Sequence, residues 1–187
     1  MSQKTARIAA TTRLYRKLHR WIAIPLFLFL TLIGATGLLL GWKKQVGLLP
    51  KTEKGSKIEA HSWVSLDSIS KVAMAYATHT LKKSPLIDRI DVRPQKGVAK
   101  IVFADHFTEL QIDCATGHIL AVNARNSDLI EKIHDGSILD FEFNPDGEQF
   151  KLSYTSIAGL AMILLAISGF WLWYNPIRMK KIKNTKV

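Results

Sequence analysis

Two long apolar stretches dominate the pattern of hydrophobic and polar positions along this 187-residue chain. They run from Trp21 to Trp42 and from Leu152 to Ile177, and neither contains an Asp, Glu, Lys, Arg or His. About 20 helical residues, rising roughly 1.5 Å each, cross a hydrocarbon core of about 30 Å. We therefore predict two transmembrane helices, at residues 21–42 and 152–177, in contact with a lipid bilayer.

Charge is distributed unevenly around these stretches, and this distribution predicts an orientation. All 15 acidic residues lie between Lys43 and Lys151, so the net charge of +11 comes from the two acid-free tails, residues 1–20 and 178–187. Short segments rich in Lys and Arg stay in the cytoplasm. The sequence thus predicts cytoplasmic termini and a periplasmic segment 43–151 in a bacterial inner membrane. Basic residues beside a span attract anionic lipid headgroups, so we predict no nucleic-acid partner.

Small residues concentrate in the second half of the first span. Gly37 and Gly41 form a GxxxG pair, and Gly34 precedes them on the same side of the helix. Such residues let another helix approach closely in lipid, where packing holds helices together. The glycines therefore pack against the second span or against a second protomer, a partner subunit or a flat cofactor; the sequence leaves these alternatives open.

The segment between the spans changes its hydrophobic period in a way that predicts an α+β domain. After a polar linker at residues 51–62, apolar positions recur at helical spacing from Leu66 to Leu81. Alternating residues then predict an antiparallel meander of four strands, near 87–92, 98–104, 107–112 and 119–122. Between this domain and the second span, the string FEFNPDGEQF predicts a hairpin at residues 141–150.

The string ELQIDCATGHILAV in this region resembles a PepSY domain, in which a strand ends in Asp and a Thr-Gly turn follows. The residues that match this turn are Asp113, Thr116 and Gly117. Asp113 is suited to accept hydrogen bonds from downstream amides, and Gly117 to adopt a positive φ.

The flanking strings YRKLHRWIAIP and LIEKIHDGSILD resemble the PepSY-associated transmembrane family. Larger relatives with four spans are linked to ferric-siderophore reduction through b-type haems bound by histidines, and this resemblance implies His19 and His134 as candidate axial ligands. The predicted topology places these two histidines on opposite sides of the membrane. Because the chain has only two spans, each haem would need a second protomer, as in a homodimer, or another subunit.

Further candidate chemistry is sparse, and three functions stay open. No zinc-ligand spacing, nucleotide-binding motif or catalytic signature is present, so we predict no catalytic residues and no metal-ion site. Cys114 is the only cysteine, and we expect it to be packed. The preferred function is a non-catalytic accessory or assembly subunit of a membrane complex, redox or iron-related. The alternatives are a haem b electron-transfer protein and a regulator of a periplasmic protease.

Overall fold

The computed structural model describes residues 3–56, 60–143 and 147–184. The described residues contain five α-helices and a four-stranded sheet, in the order α1 (Gln3–Gly41), α2 (Leu66–Tyr76), β1 (Ile87–Arg93), β2 (Val98–Phe103), β3 (Thr108–Asp113), β4 (Ile119–Ala124), α3 (Asn126–Asp135), α4 (Ser137–Phe143) and α5 (Gln149–Asn184). They form two compact units. The helical unit contains α1 up to Gly37 and the chain from His134 onward; the lobe contains residues from Leu38 to Ile133.

Both α1 and α5 are long and apolar enough to cross a membrane. They contain 39 and 36 residues and are longer than the apolar stretches, because each helix continues into the basic residues beside it. Arg, Lys, Leu and Ala favour helix. The part of α1 before the apolar stretch also has one buried face, formed at helical spacing by Thr5, Ile8 and Thr12. Residues 3–20, expected as a tail, are therefore helical.

The helical unit is held together by one face of α5. Its buried positions are small or polar and recur at helical spacing: Ala158, Ala161, Ser168 and Asn175. Aromatic pairs flank this seam, with Tyr15 of α1 stacked on Trp171 of α5 at a centroid distance of 6.2 Å. Phe29 meets Tyr154 edge-on at 6.2 Å. Small side chains allow α1 and α5 to approach, as expected in lipid.

The lobe confirms the predicted combination of a helix and an antiparallel meander. Ser65 is the N-cap of α2, and its side chain accepts a hydrogen bond from the Ser68 amide at 3.1 Å. One π-helical turn, Ala77–Leu81, continues α2, and Lys82 ends it with a left-handed φ of +56°. The strands pair in sequence order, β1-β2-β3-β4, and every pair is antiparallel.

One face of the sheet and the inner side of α2 make the hydrophobic core. Ile101 of β2 pairs with Ile90 of β1 and with Leu110 of β3, so apolar side chains align across the sheet. Ile69 and Ala73 of α2 are buried in the same cluster. Alternation with a period of two therefore fixes which face of each strand is covered.

The second face of the sheet is covered by residues 51–56, which corrects the expectation of a polar linker there. The Gln111 side chain donates to the Lys51 carbonyl at 2.8 Å and accepts from the Glu53 amide at 2.7 Å. The Gly55 amide donates to the Lys96 carbonyl at 2.8 Å. Polar side chains on β3 thus bind the backbone of this segment, which explains why both faces of β2 and β3 are buried.

The predicted hairpin at 141–150 is wrong, because the residues expected to form its two strands are helical. The expected turn residues 144–146 lie outside the described residues. Phe141 and Phe143 belong to α4, and Phe150 belongs to the first turn of α5. The cause is Asp140, a buried carboxylate that accepts from the Phe150 amide at 3.0 Å and the Lys151 amide at 2.8 Å. These amides begin α5 and need acceptors from outside the helix, so Asp140 favours a helix start over a strand.

Candidate functional site

His19 lies on the α1 side that faces α5. Its Nδ1 is 2.8 Å from the Oγ of Ser168, and the Ser168 side chain is 1% exposed. Ser168 Oγ also lies 2.7 Å from the Leu164 carbonyl, one turn back on α5. His19 therefore makes an interhelical polar contact within the helical unit.

His134 makes the same kind of contact near the other end of α1. Its Nδ1 is 2.8 Å from Thr36 Oγ1, and Thr36 Oγ1 is 2.7 Å from the Leu32 carbonyl. His134 lies next to the last residue of α3. His134 and Thr36 are 98 residues apart in the chain.

The hydroxyl partners suggest which nitrogen of each ring acts as the donor. A hydroxyl has one proton, and the oxygens of Ser168 and Thr36 both lie 2.7 Å from the carbonyl four residues earlier on their own helix. A hydroxyl that donates to this carbonyl accepts from the imidazole, so we predict that Nδ1–H of His19 and of His134 is the donor. In that tautomer Nε2 of each ring has a lone pair. A histidine that ligates a metal has the same arrangement, with one ring N–H held by a neighbour and the other nitrogen available.

The two histidines are too far apart to bind one iron. Thr36, the partner of His134, follows His19 by 17 residues on a continuous helix, which corresponds to about 25 Å. Within the described ranges, no three His, Cys, Asp or Glu residues form a group able to hold a metal ion. Each imidazole is therefore a single candidate ligand at its own end of the helical unit.

Each residue of the string His134-Asp135-Gly136 has a distinct structural role. Asp135 Oδ1 accepts from the amide and the hydroxyl of Ser137, at 3.0 and 2.7 Å, and so caps α4. Gly136 has a φ of +81°, and a Cβ there would lie 2.7 Å from the Tyr154 ring. Glycine is required on both grounds. The string therefore ends α3, begins α4 and places His134 against α1.

The three span glycines have different surroundings. A Cβ on Gly37 would meet His134 Cε1 at 3.3 Å, so the histidine ring occupies the space this glycine leaves. Gly34, one turn earlier, has no described atom from beyond its own helix backbone within 4 Å of the corresponding position, and the same is true of Gly41. Helix packing through Gly34 and Gly41 thus stays a prediction.

The PepSY turn is organised by the Asp113 carboxylate. Its Oδ1 accepts from the amides of Ala115 and Thr116, at 2.7 and 3.3 Å, and Gly117 follows with a φ of +73°. Its Oδ2 accepts from the amide and the hydroxyl of Ser56, at 2.9 and 2.8 Å. Burial acts to raise the pKa of Asp113, but these hydrogen bonds outweigh it and lower the pKa below its ordinary value.

Cys114, next to that turn, is part of the hydrophobic core. The residue is 1% exposed and clusters with the apolar side chains of α2, β2 and β3. Burial, with a smaller contribution from the Asp113 charge, raises the pKa of the thiol. A raised pKa disfavours the thiolate, the reactive form, so the geometry supports a packing role.

A buried ion cluster lies beside the segment that covers the second sheet face. Glu109, whose side chain is 0% exposed, is 3.1 Å from Lys100 Nζ and 2.5 Å from Arg125 Nη1. Arg125 also binds Asp128 through two hydrogen bonds. Burial raises the pKa of Asp128, but its bonds to Arg125 outweigh this and lower it. The two buried cations and the two carboxylates balance, as buried charges require, and the more exposed Arg89 lies 3.6 Å from Asp128 at the edge of the cluster.

Sequence reasoning named both histidines but missed their partners. Thr36 and Ser168 lie inside apolar spans, where a hydroxyl commonly bonds back to its own helix. One signal was available: polar residues in a lipid-facing helix tend to face another helix. Glu109 and Lys100 were also missed, since alternating charged residues in strands usually indicate a solvated face.

Taken together, an α+β lobe lies in the chain between two helices of membrane-crossing length, which defines a membrane-associated protein of PepSY type. The family model described as "PepSY-associated TM region" matches residues 16–186. The chain belongs to this family. Comparison with curated proteins and with solved structures gave no match.

Proposed function

We propose that this chain is a membrane-anchored PepSY module that acts as a non-catalytic accessory subunit of a membrane complex. The observation that carries the proposal is the unfilled glycine side of α1. Gly34 and Gly41 are seven residues apart, about two turns, and lie about 20° from each other around the helix, with Gly37 roughly 40–60° to one side of them. Neither has a described neighbour in the space a Cβ would take, whereas Gly37 already receives His134.

Open glycine positions in a span suit a second transmembrane helix. Lipid tails are as apolar as leucine, so helices associate in membranes through close packing, which glycine permits. Of the 18 most hydrophobic consecutive residues of α1, only 6% are buried by the described parts of the chain. A partner helix seated on Gly34 and Gly41 would gain contacts that flexible lipid tails do not provide.

The test compares substitutions on two sides of the same helix. Gly34→Leu with Gly41→Leu fills the open side, while Ala35→Leu makes a similar small-to-large change at an exposed position about 100° around the helix. Native gels of membranes solubilised in mild detergent should show the wild-type chain in a complex, and the glycine variant should dissociate from it. The Ala35→Leu chain should migrate like the wild type. A wild-type chain that migrates as a monomer would contradict the proposal.

The proposed orientation has both termini in the cytoplasm and the lobe in the periplasm of the inner membrane. Neither α1 nor α5 contains an acidic residue. The basic N-terminal part of α1 lies beside the basic C-terminal part of α5, since Arg7 and Arg178 line one cavity, and this supports the orientation. Fusion of green fluorescent protein after Val187 should fluoresce, and alkaline phosphatase there should be inactive. Phosphatase fused after Asp105, in the lobe, should be active. The reverse pattern would contradict this orientation.

Haem-linked electron transfer is a second candidate, and the hydrogen bonds of the two histidines favour it. Ser168 and Thr36 each hold Nδ1 of one imidazole at 2.8 Å, and the predicted tautomer leaves Nε2 free to bind iron. The donor chemistry fits a b-type haem. Such a haem would supply one-electron exchange, and Ser168 and Thr36 would orient the imidazoles that hold it. A second ligand would come from another chain.

The experiment for this candidate replaces a histidine with a side chain whose amide mimics only one of the two ring nitrogens. Asn mimics the Nδ1 donor and Gln mimics the position of Nε2. His134→Asn should keep the hydrogen bond to Thr36 and lose the haem, detected as loss of the b-type α-band in a reduced-minus-oxidised spectrum. His106→Ala, a change in the lobe, should leave the spectrum unchanged. A wild-type chain expressed with haem supply that lacks the α-band would rule this candidate out.

A further inference from the structure

A cavity of about 760 Å³ opens between the basic ends of α1 and α5. Its walls come from both helices: Gln3, Arg7, Ile8, Thr11, Tyr15, Trp171, Asn175 and Arg178. All of these residues belong to the helical unit. None of them is among the residues to which the proposed function assigns a role.

The cavity combines exposed cations at its mouth with a buried donor. Arg7 and Arg178 are both exposed, and α1 and α5 contain no Asp or Glu to neutralise them. Asn175 is 3% exposed, and its Nδ2 has no hydrogen-bond acceptor among the described residues. A buried amide N–H without an acceptor is costly and indicates that an acceptor from outside the chain belongs there.

The other walls are apolar and suit an amphipathic molecule. Tyr15 and Trp171 stack with their planes 14° apart, and Ile8 is buried next to them on α1. The Thr11 hydroxyl donates to the Arg7 carbonyl at 3.0 Å, so toward a ligand it is an acceptor. The cavity therefore has donors for an anion on one side and a ring surface for hydrocarbon on the other.

The position along the helices agrees with a lipid headgroup. Trp171, Trp173 and Tyr174 form an aromatic group of the kind found at the membrane interface. Arg178 follows Trp171 by seven residues, which is about 10 Å along α5. A headgroup layer is about 5–8 Å deep, so with Trp171 at the inner boundary of that layer, Arg178 lies near its outer boundary. We propose that this cavity binds the phosphate of an anionic phospholipid, with Arg7 and Arg178 at the phosphate and Asn175 as the buried donor.

The test is lipid retention by the full chain in detergent micelles, measured by native mass spectrometry. Phosphatidylglycerol should be retained at least about tenfold more strongly than phosphatidylcholine with the same acyl chains. Arg7→Ala with Arg178→Ala should remove this preference. The control, Arg13→Ala with Arg16→Ala, removes the same charge from exposed positions outside the cavity and should reduce retention less than about threefold. An equal loss in both pairs would overturn the proposal, because it would indicate diffuse attraction.

A neutral substitution separates the buried donor from overall charge. Asn175→Leu keeps the net charge and should weaken retention of phosphatidylglycerol about tenfold, the value of one hydrogen bond to a charged group. Circular dichroism verifies that the helices persist. Unchanged retention in a folded Asn175→Leu chain would overturn the proposal. So would displacement of the lipid by inorganic phosphate or glycerol phosphate at millimolar concentration, since the site would then bind free phosphate.

Discussion

Replacing Glu109 with Gln should destabilise the lobe by about 3 kcal/mol, because it leaves two buried cations with one carboxylate between them. The side chains of Lys100 and Arg125 are only 6% and 9% exposed, so water screens them poorly. The charges of Lys100, Glu109, Arg125 and Asp128 sum to zero in the native chain and to +1 in the variant; Arg89, exposed at the edge of the cluster, is the same in both. Gln preserves the size of the side chain, so the loss reports charge and not packing.

Lys100→Met provides the decisive comparison. Alone it should cost about 2 kcal/mol, since Glu109 loses one charged hydrogen-bond partner but keeps Arg125. Combined with Glu109→Gln it restores neutrality, because Arg125 and Asp128 remain paired. The double variant should therefore be no less stable than Glu109→Gln alone, which is a coupling of about 2 kcal/mol.

Hydrogen exchange by mass spectrometry on the full chain in micelles measures these changes. Protection of the β2 and β3 amides gives the opening free energy of the lobe without requiring the spans to unfold. Lys71→Met is the matched control, since Lys71 pairs with Asp67 at an exposed helix position and should cost less than about 0.5 kcal/mol. Additive losses in the double variant would refute the reasoning, because the cluster would then not behave as a balanced charge network.

Three further predictions concern the turn, the helix junction and the hydroxyl pairs. The pKa of Asp113 in the folded chain lies below its ordinary value of 3.8, so the ionised carboxylate contributes fully to stability above pH 3.8, and this contribution is lost as the pH falls through the folded pKa. Acid titration followed by circular dichroism should show that Asp113→Asn is less stable than the wild type at neutral pH. The variant should also lose less stability on acidification than the wild type does. Gly136→Ala should cost about 3 kcal/mol, from its left-handed φ and from overlap with Tyr154, lowering the thermal midpoint in micelles; Tyr154→Ala should relieve the overlap part. With labelled histidine, nitrogen NMR should show Nδ1 of His134 protonated, and Thr36→Val should shift that signal; a proton on Nε2 instead would contradict the assignment.

The spans, the strands and the Asp113 turn could be predicted from the sequence, because each depends on the residue types along one stretch of chain. The spans follow from uncharged length, and the strands follow from alternation, since Ile101 and Phe103 must lie on one face. The Asp113 turn follows from the ability of a short carboxylate to bind the amides just after it. Each of these features involves residues within a few positions of one another.

The features that sequence reasoning missed involve partners that only the fold brings together. Residues 51–56 look like a linker because their binding surface, the polar side of β3, exists only once the sheet has formed. Asp140 is one of several acids before α5, and only its contact with the Phe150 amide distinguishes it as a cap. The pairing of His134 with Thr36 spans 98 residues and leaves no periodic signal.

The two histidine pairs reduce the functional question to one atom in each ring. A polar group in a lipid-facing bundle is costly unless it is bonded, and Ser168 and Thr36 satisfy Nδ1 of His19 and His134. That bond explains why a histidine is tolerated in the helical unit, but Asn, whose amide mimics Nδ1, would also make it. Imidazole differs from that side chain by its second nitrogen, which in the predicted tautomer of both rings is an acceptor. If Nε2 is hydrated, the histidine–hydroxyl pairs are only interhelical contacts, and the accessory role explains them. If Nε2 binds iron, the same hydroxyls orient the ligands of an electron carrier. The reduced-minus-oxidised spectrum distinguishes these two functions.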